Sequence, residues 1–197
     1  MDEKFTGKGR FIYPNGAEYE GEFVNDLPEG RGCLVLPNLD TYEGEFKAGE
    51  MSGFGVYRFY NPNLDRLKGS YEGEFAHSKF SGFGKMTYPN TSVYYGQWVN
   101  GLKDGFGQYI GISGETIIGK WENDVLKEGI CIFPDESKYF GHFKDSKHNG
   151  FGSLILNDGT IQQGIWKDGV LVNGLSHSRD KISTVVNNQV FIHEDEN

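Results

Sequence analysis

Three kinds of residue in this sequence are placed so that they could do chemistry. Gly-x-Gly occurs at Gly7, Gly30, Gly53, Gly82, Gly105 and Gly150. Such a pair can cradle a phosphate where a strand hands over to a helix N-terminus. Here no helical pattern follows any of the copies, so the dinucleotide reading falls. The carboxylate pairs Glu20/Glu22, Glu43/Glu45 and Glu72/Glu74 have the composition of an acid–base couple. A catalytic couple belongs to one place, whereas these recur along the chain, and a solvated sheet face explains them. Of the five histidines, His142 and His148 could approach each other across a hairpin, but no third ligand has metal-site spacing. The histidines are read as surface residues. Neither a P-loop nor a Gly-x-Ser-x-Gly elbow occurs. No catalytic, cofactor-binding or metal-binding residue is expected, and the chain is not expected to be an enzyme.

The balance of 19 basic against 28 acidic residues, a net charge of −9, argues against nucleic acid and against general attraction to anionic membranes. No run of 18 apolar residues spans a bilayer. The start, MDEKFTGKGR, lacks the apolar core of a secretory signal. The expected compartment is cytoplasmic. Glycine supplies 29 residues and aromatic residues 15% of the chain. Disordered chains are poor in aromatics, so the pairing points to rings lying over backbone that carries no side chain.

What positions these residues is a repeat. Tyr19-Glu-Gly21-Glu-Phe23 returns as Tyr42-Glu-Gly44-Glu-Phe46 and Tyr71-Glu-Gly73-Glu-Phe75. It continues as Tyr94-Tyr-Gly96-Gln-Trp98, Ile117-Ile-Gly119-Lys-Trp121, Tyr139-Phe-Gly141-His-Phe143 and Gln162-Gln-Gly164-Ile-Trp166. Successive starts are 23, 29, 23, 23, 22 and 23 residues apart. Gly-x-Gly begins 11 residues after a start in five units, and Pro-Asn or Asn-Asp turn formers follow in phase. Each unit therefore reads as two short strands. The aromatic, the glycine and the second aromatic fall at i, i+2 and i+4 and share one face, and the glutamates take the other. Glycine weakens a strand unless something needs its space; the rings need it. Cys33 and Cys131 fall four repeats apart, too far for a disulfide.

These motifs resemble the MORN (membrane occupation and recognition nexus) repeat family. The resemblance implies an all-β fold: a single-layer antiparallel solenoid of stacked hairpins, about 23 residues per repeat. Residues 1–174 would form it, with an N-terminal half-repeat, six repeats from residue 19 and a degenerate terminal repeat from 162. It also implies a non-catalytic interaction scaffold. A protein partner, as an extended or helical segment, would lie in a groove lined by Tyr19, Phe23, Tyr42, Phe46, Tyr71, Phe75, Tyr94, Trp98, Trp121, Tyr139, Phe143 and Trp166. Similar proteins serve cytoskeletal assemblies, including the ciliary axoneme and its radial spokes. The alternative is a membrane-associated module binding phospholipid. The net charge opposes it, and the best basic patch is Lys144, Lys147 and His148.

Four departures from the pattern matter. Six extra residues within 60–69 should make a protruding turn, either a neutral insertion or a partner contact. The unit from Ile117 has lost one residue and carries Lys127 in place of the first glycine. Residues 175–197 leave the repeat, either as a small hairpin over the last edge or as a partner-binding segment. Finally, the residue between the paired glycines is phenylalanine in four units: Phe54, Phe83, Phe106 and Phe151. It points away from the aromatic face, either packing under charged stems or forming a second docking surface.

Overall fold

The structure, a computed structural model, describes residues 4–61, 63, 66–179 and 181–193. The chain divides into two units, Met1–Leu102 and Lys103–Asn197. Nothing in the repeat announces this division. In the first unit the strands are β1 (Gly7–Ile12), β2 (Glu18–Val24), β3 (Leu27–Val35), β4 (Thr41–Lys47), β5 (Glu50–Asn61), β6 (Arg66–Ala76), β7 (Lys79–Thr87) and β8 (Val93–Val99). Each pairs antiparallel with the next. In the second unit they are β9 (Leu102–Ile110), β10 (Thr116–Glu122), β11 (Val125–Ile132), β12 (Lys138–Lys144), β13 (Lys147–Ile155), β14 (Ile161–Lys167), β15 (Val170–Ser178), β16 (Lys181–Val186) and β17 (Gln189–His193). These too pair consecutively and antiparallel. The fold is all-β, a single-layer solenoid of stacked hairpins, as the repeat implies.

Two kinds of turn fix the register. The hairpins closing β2–β3, β6–β7, β10–β11 and β12–β13 place two successive residues at positive φ: Asn25-Asp26, His77-Ser78, Asn123-Asp124 and Asp145-Ser146. That is the type I′ geometry, whose twist matches the strands it joins. At the other strand ends, a four-residue turn holds one left-handed residue. There an Asn or Asp side chain accepts the amide two residues on, as Asn38 does from Asp40 at 3.1 Å and Asp135 from Ser137 at 3.0 Å.

The ladders also carry a regular irregularity. Gly44 faces Gly55 but Glu45 faces Ser52, and Gly73 faces Gly84 but Glu74 faces Ser81. Two extra residues, Gly53-Phe54 or Gly82-Phe83, form a bulge. Gly82 stands there at φ 56°, which is why the first glycine of Gly-x-Gly is a glycine. In β10–β11 and β14–β15 the register slips by only one residue. Those hairpins start at Ile117 and Gln162 instead of tyrosine, and tolerate Lys127 and Val172 where a glycine would stand. Across β2–β3, β4–β5, β6–β7, β10–β11, β12–β13 and β14–β15, tyrosine and full bulge are present or absent together.

At the insertion, β5 and β6 pair outward to Asn61 and Arg66. Residues 62, 64 and 65 of the expected protruding turn lie outside the described residues. The long hairpin is tied down by Asp40, a buried carboxylate that accepts the Tyr57 hydroxyl at 2.9 Å and the Tyr60 amide at 2.7 Å. Past residue 174, β15 continues to Ser178 and β16–β17 extend the ladder as a hairpin, Gly174 facing Val185. At the other end Phe5 caps the half-repeat. Its ring lies 3.2 Å from where a side chain on Gly9 would begin and packs edge-on against Phe23.

Candidate functional site

All twelve residues of the expected groove fall on one face of their strands, and all twelve are buried. Tyr19, Tyr42, Tyr71, Tyr94 and Tyr139 keep no accessible surface. The rings of Tyr19, Tyr42, Tyr71 and Tyr139 each lie over the glycines of their own hairpin. A Cβ on Gly84 would meet the Tyr71 hydroxyl at 2.3 Å, and one on Gly152 the Tyr139 hydroxyl at 2.2 Å. The hydroxyl then donates to the carbonyl three residues on: Tyr19 to Glu22 at 2.9 Å, Tyr42 to Glu45 at 2.9 Å, Tyr71 to Glu74 at 3.0 Å. Neighbouring units lock edge-to-face, Tyr19 against Phe46 at 4.8 Å, Tyr42 against Phe75 at 4.7 Å, Tyr71 against Trp98 at 5.4 Å and Tyr139 against Trp166 at 5.6 Å. The Trp98 and Trp166 indoles donate to the Gly84 and Gly152 carbonyls. Rings so covered are the core of each unit. The groove reading is corrected accordingly: these rings form the floor of each unit's inner face, and beside them lie half-buried second-strand residues, Leu34, Leu36, Tyr57 and Phe59 in the first unit and Leu154 and Leu156 in the second.

Burial has a consequence for ionisation. It pushes the Tyr19, Tyr42 and Tyr139 phenols up to about 12 and raises Tyr71 as well. An unfolded phenol gives up its proton near pH 10. Between these values the unfolded chain has lost protons that the folded one keeps, so this contribution is full below pH 10 and lost as pH climbs towards 12. We expect phenolate absorbance and loss of strand circular dichroism to rise together across that window. Tyrosines titrating near pH 10 in a chain that stays folded would contradict the packing.

Sequence reasoning missed the ninth residue after the repeat start, which covers the tyrosine in β6–β7 and β12–β13. Phe80 stacks on Tyr71 at 4.0 Å, and His148 stacks on Tyr139 at 3.6 Å with its rings within 5° of parallel. His148 is therefore no surface histidine. Burial lowers its pKa, and the basic patch reduces to Lys144 and Lys147. His142 lies on the opposite face, its Nδ1 3.1 Å from the Phe151 carbonyl, so the two histidines do not meet. Among the described residues no three His, Cys, Asp or Glu side chains are grouped to hold a metal ion. Cys33 and Cys131 are both free thiols.

In the tyrosine-less β10–β11, the ninth residue is Leu126, and a Cβ on Gly119 would meet its side chain at 2.8 Å. Leucine has dropped into the tyrosine's place without a hydroxyl to bind the backbone. Amide hydrogen exchange should thus be faster in β10–β11 than in β12–β13 of the same unit. Equal protection would show that leucine replaces tyrosine in full.

The outer face differs between the units. In the first, Glu20, Glu43, Glu72 and the exposed Tyr95 stand before the strand glycine and Glu22, Glu45, Glu74 and Gln97 after it. The latter glutamates are not simply solvated: the Glu74 carboxylate accepts the Phe83 bulge amide at 2.8 Å. In the second unit Ile118, Phe140 and Gln163 stand before the glycine and Lys120, His142 and Ile165 after it, and Ile118, Phe140 and Ile165 are exposed. Ile118, Ile130 and Phe140 face one another directly across β10, β11 and β12, and Phe151 faces Ile165 across β13 and β14. The bulge turns its phenylalanines out to water: Phe54 is 55%, Phe83 62%, Phe106 68% and Phe151 55% exposed.

A family model described as MORN repeat matches residues 4–18, 19–41, 42–61, 71–93, 94–116 and 139–161, more than half of the chain. The two hairpins with the shortened bulge fall outside those matches. Alsin of Homo sapiens and alsin of Mus musculus are each 32% identical to the chain over 132 residues, covering 64% of it. The match spans only 8% of alsin's own length. Among solved structures, the TCP domain of Drosophila melanogaster SAS-4 (dCPAP), in complex with a proline-rich motif of Ana2, is similar with a TM-score of 0.47 and 15% identity, covering 95% of this chain and 90% of that one. The TCP10 domain of Danio rerio CPAP, in complex with a STIL peptide, gives 0.46 and 13%, covering 95% and 98%.

Proposed function

The chain belongs to the MORN repeat family, and we propose that it is a non-catalytic protein-interaction scaffold that docks a partner on the outer face of its second unit. The observation that carries this is the exchange of side chains at equivalent repeat positions. Where the first unit presents Glu20, Glu43 and Glu72 to water, the second presents Ile118 and Phe140, with Ile165 close by. The fold does not require apolar residues there, since Glu20, Glu43 and Glu72 hold that position in the first unit, where Tyr95 is the exception. Contiguous exposed apolar surface of this kind marks interaction sites. The partner contact we assign is an apolar, aromatic-bearing segment, because aromatic and aliphatic anchors dominate interface energy.

A second surface, the inner face, is favoured by the half-buried row Leu34, Leu36, Tyr57 and Phe59, which rests on a floor of immobile rings and would order at little entropic cost. The setting we propose is a cytoplasmic, cytoskeletal assembly, the ciliary axoneme among the candidates, and it rests on the family resemblance alone. Phospholipid binding is opposed by the acidic outer face of the first unit.

Replacing Phe140 and Ile165 with glutamate tests the outer face. The double variant should melt as the parent does, since glutamate is tolerated at such positions in the first unit. It should lose the salt-stable partners captured by the parent from ciliated-cell extract. Capture of the same partners in the same yield would refute the outer-face assignment, and enrichment on liposomes in place of proteins would favour the membrane reading.

A further inference from the structure

The missing tyrosine of β10 leaves more than a weak place. In β6–β7 and β12–β13, a tyrosine covers the glycines and a second ring, Phe80 or His148, lies on top of it. In β10–β11 Leu126 has sunk to the lower level. The upper level is empty, and the second unit holds a cavity of about 270 Å³ between this hairpin and the next. Ile117, Leu126, Phe133 and Phe143 give it apolar walls. Two carboxylates, Asp124 and Asp145, line it from the type I′ turns at the hairpin tips.

We propose that this cavity is an anchor site for a cationic side chain, arginine or lysine, of a partner protein, with the aliphatic stem against Ile117, Leu126, Phe133 and Phe143 and the charged head at Asp145 and Asp124. A purely apolar occupant would fill the walls but strip water from two carboxylates without replacing it. An acidic occupant would be repelled. A long side chain that is apolar along its stem and positive at its tip meets both demands.

The chain itself shows that this aromatic surface accepts a cation: the Lys103 ammonium stands 4.5 Å from the centroid of the Trp121 ring. Lys103 lies near Asp124, whose carboxylate accepts its backbone amide at 2.9 Å, and so offsets part of that charge. Asp145 has no ion-pair partner among the described residues and carries most of the discrimination. His148, on the cavity wall, has its pKa lowered by burial, which disfavours a competing positive charge there. This site is on the inner face and stands whether or not the outer face docks a partner.

The three tryptophans, Trp98, Trp121 and Trp166, provide the reporter, because only Trp121 lines the cavity. The full chain with ¹⁵N-labelled indoles would be titrated with N-acetyl-arginine methylamide and, separately, with N-acetyl-norleucine methylamide, which keeps an aliphatic stem and lacks the charge. Arginine should shift the Trp121 indole signal saturably and leave Trp98 and Trp166 still. Norleucine should bind roughly threefold more weakly or worse, the scale of one partly exposed ion pair. Asp145→Asn should weaken arginine by a similar factor and leave norleucine unchanged. Asn suits this site, where φ is 49°. Three results overturn the proposal: a Trp121 signal unmoved by both probes, norleucine binding as tightly as arginine, or Asp145→Asn without effect on arginine.

Discussion

Truncating Tyr71 to alanine should destabilise the first unit by about 3–5 kcal/mol, the range for removing a large buried aromatic side chain. The ring is fully buried between Phe75, Phe80 and Trp98, and its hydroxyl ties to the Glu74 carbonyl at 3.0 Å and the Ser81 carbonyl at 3.2 Å. Its loss opens a cavity, strands both rings that touch it edge-on and frees the bulge. Tyr71→Phe separates the terms. It keeps the packing and should cost about 1 kcal/mol, the net worth of one hydrogen bond. Urea unfolding followed by tryptophan fluorescence measures both variants. Equal losses for the two would mean that the hydroxyl, and not the ring, holds the hairpin.

Gly84→Ala comes second in size, for the opposite reason. The added methyl would sit 2.3–2.5 Å from the oxygen and ring carbons of Tyr71, and that ring has no room to retreat. Overpacking of this kind costs about 3 kcal/mol or more. The control is Gly101→Ala. There φ is +86° but nothing lies within 4 Å of the new methyl, so only the left-handed backbone penalty of about 1–2 kcal/mol applies. If Gly101→Ala proves the more harmful of the two, the tyrosine does not require the glycine's space.

Much of this was legible in the sequence, for a physical reason. A strand period of two inside a repeat of 23 residues fixes which side chains share a face, so the hairpins, the shared aromatic face and the service of glycine to tyrosine all follow from Tyr19-Glu-Gly21-Glu-Phe23 and its copies. Exposure does not follow. A single sheet with one aromatic face suggests an open groove, but the residue at the ninth position, Phe80 or His148, closes over the ring, and its type varies too much between units to be recognised. The bulge was equally hidden. Gly-x-Gly signals glycine's presence, whereas only the register slip from Gly73–Gly84 to Glu74–Ser81 shows why Phe83 faces water. Asp40 escaped notice because its partners, Tyr57 and Tyr60, lie on the long hairpin that interrupts the period. The division at Leu102 leaves no trace in the motif at all.

The most direct test of the account places a photo-crosslinking phenylalanine analogue at position 140, on the outer face of the second unit, or at position 154, on the inner face of the same unit. Both replace residues that are partly accessible, and neither occupies the core. Illumination in extract should give a discrete protein adduct from position 140, whether or not position 154, on the side of the proposed cation anchor, gives one as well. Adducts formed from position 154 alone would contradict the outer-face account and return partner binding to the aromatic side of the sheet.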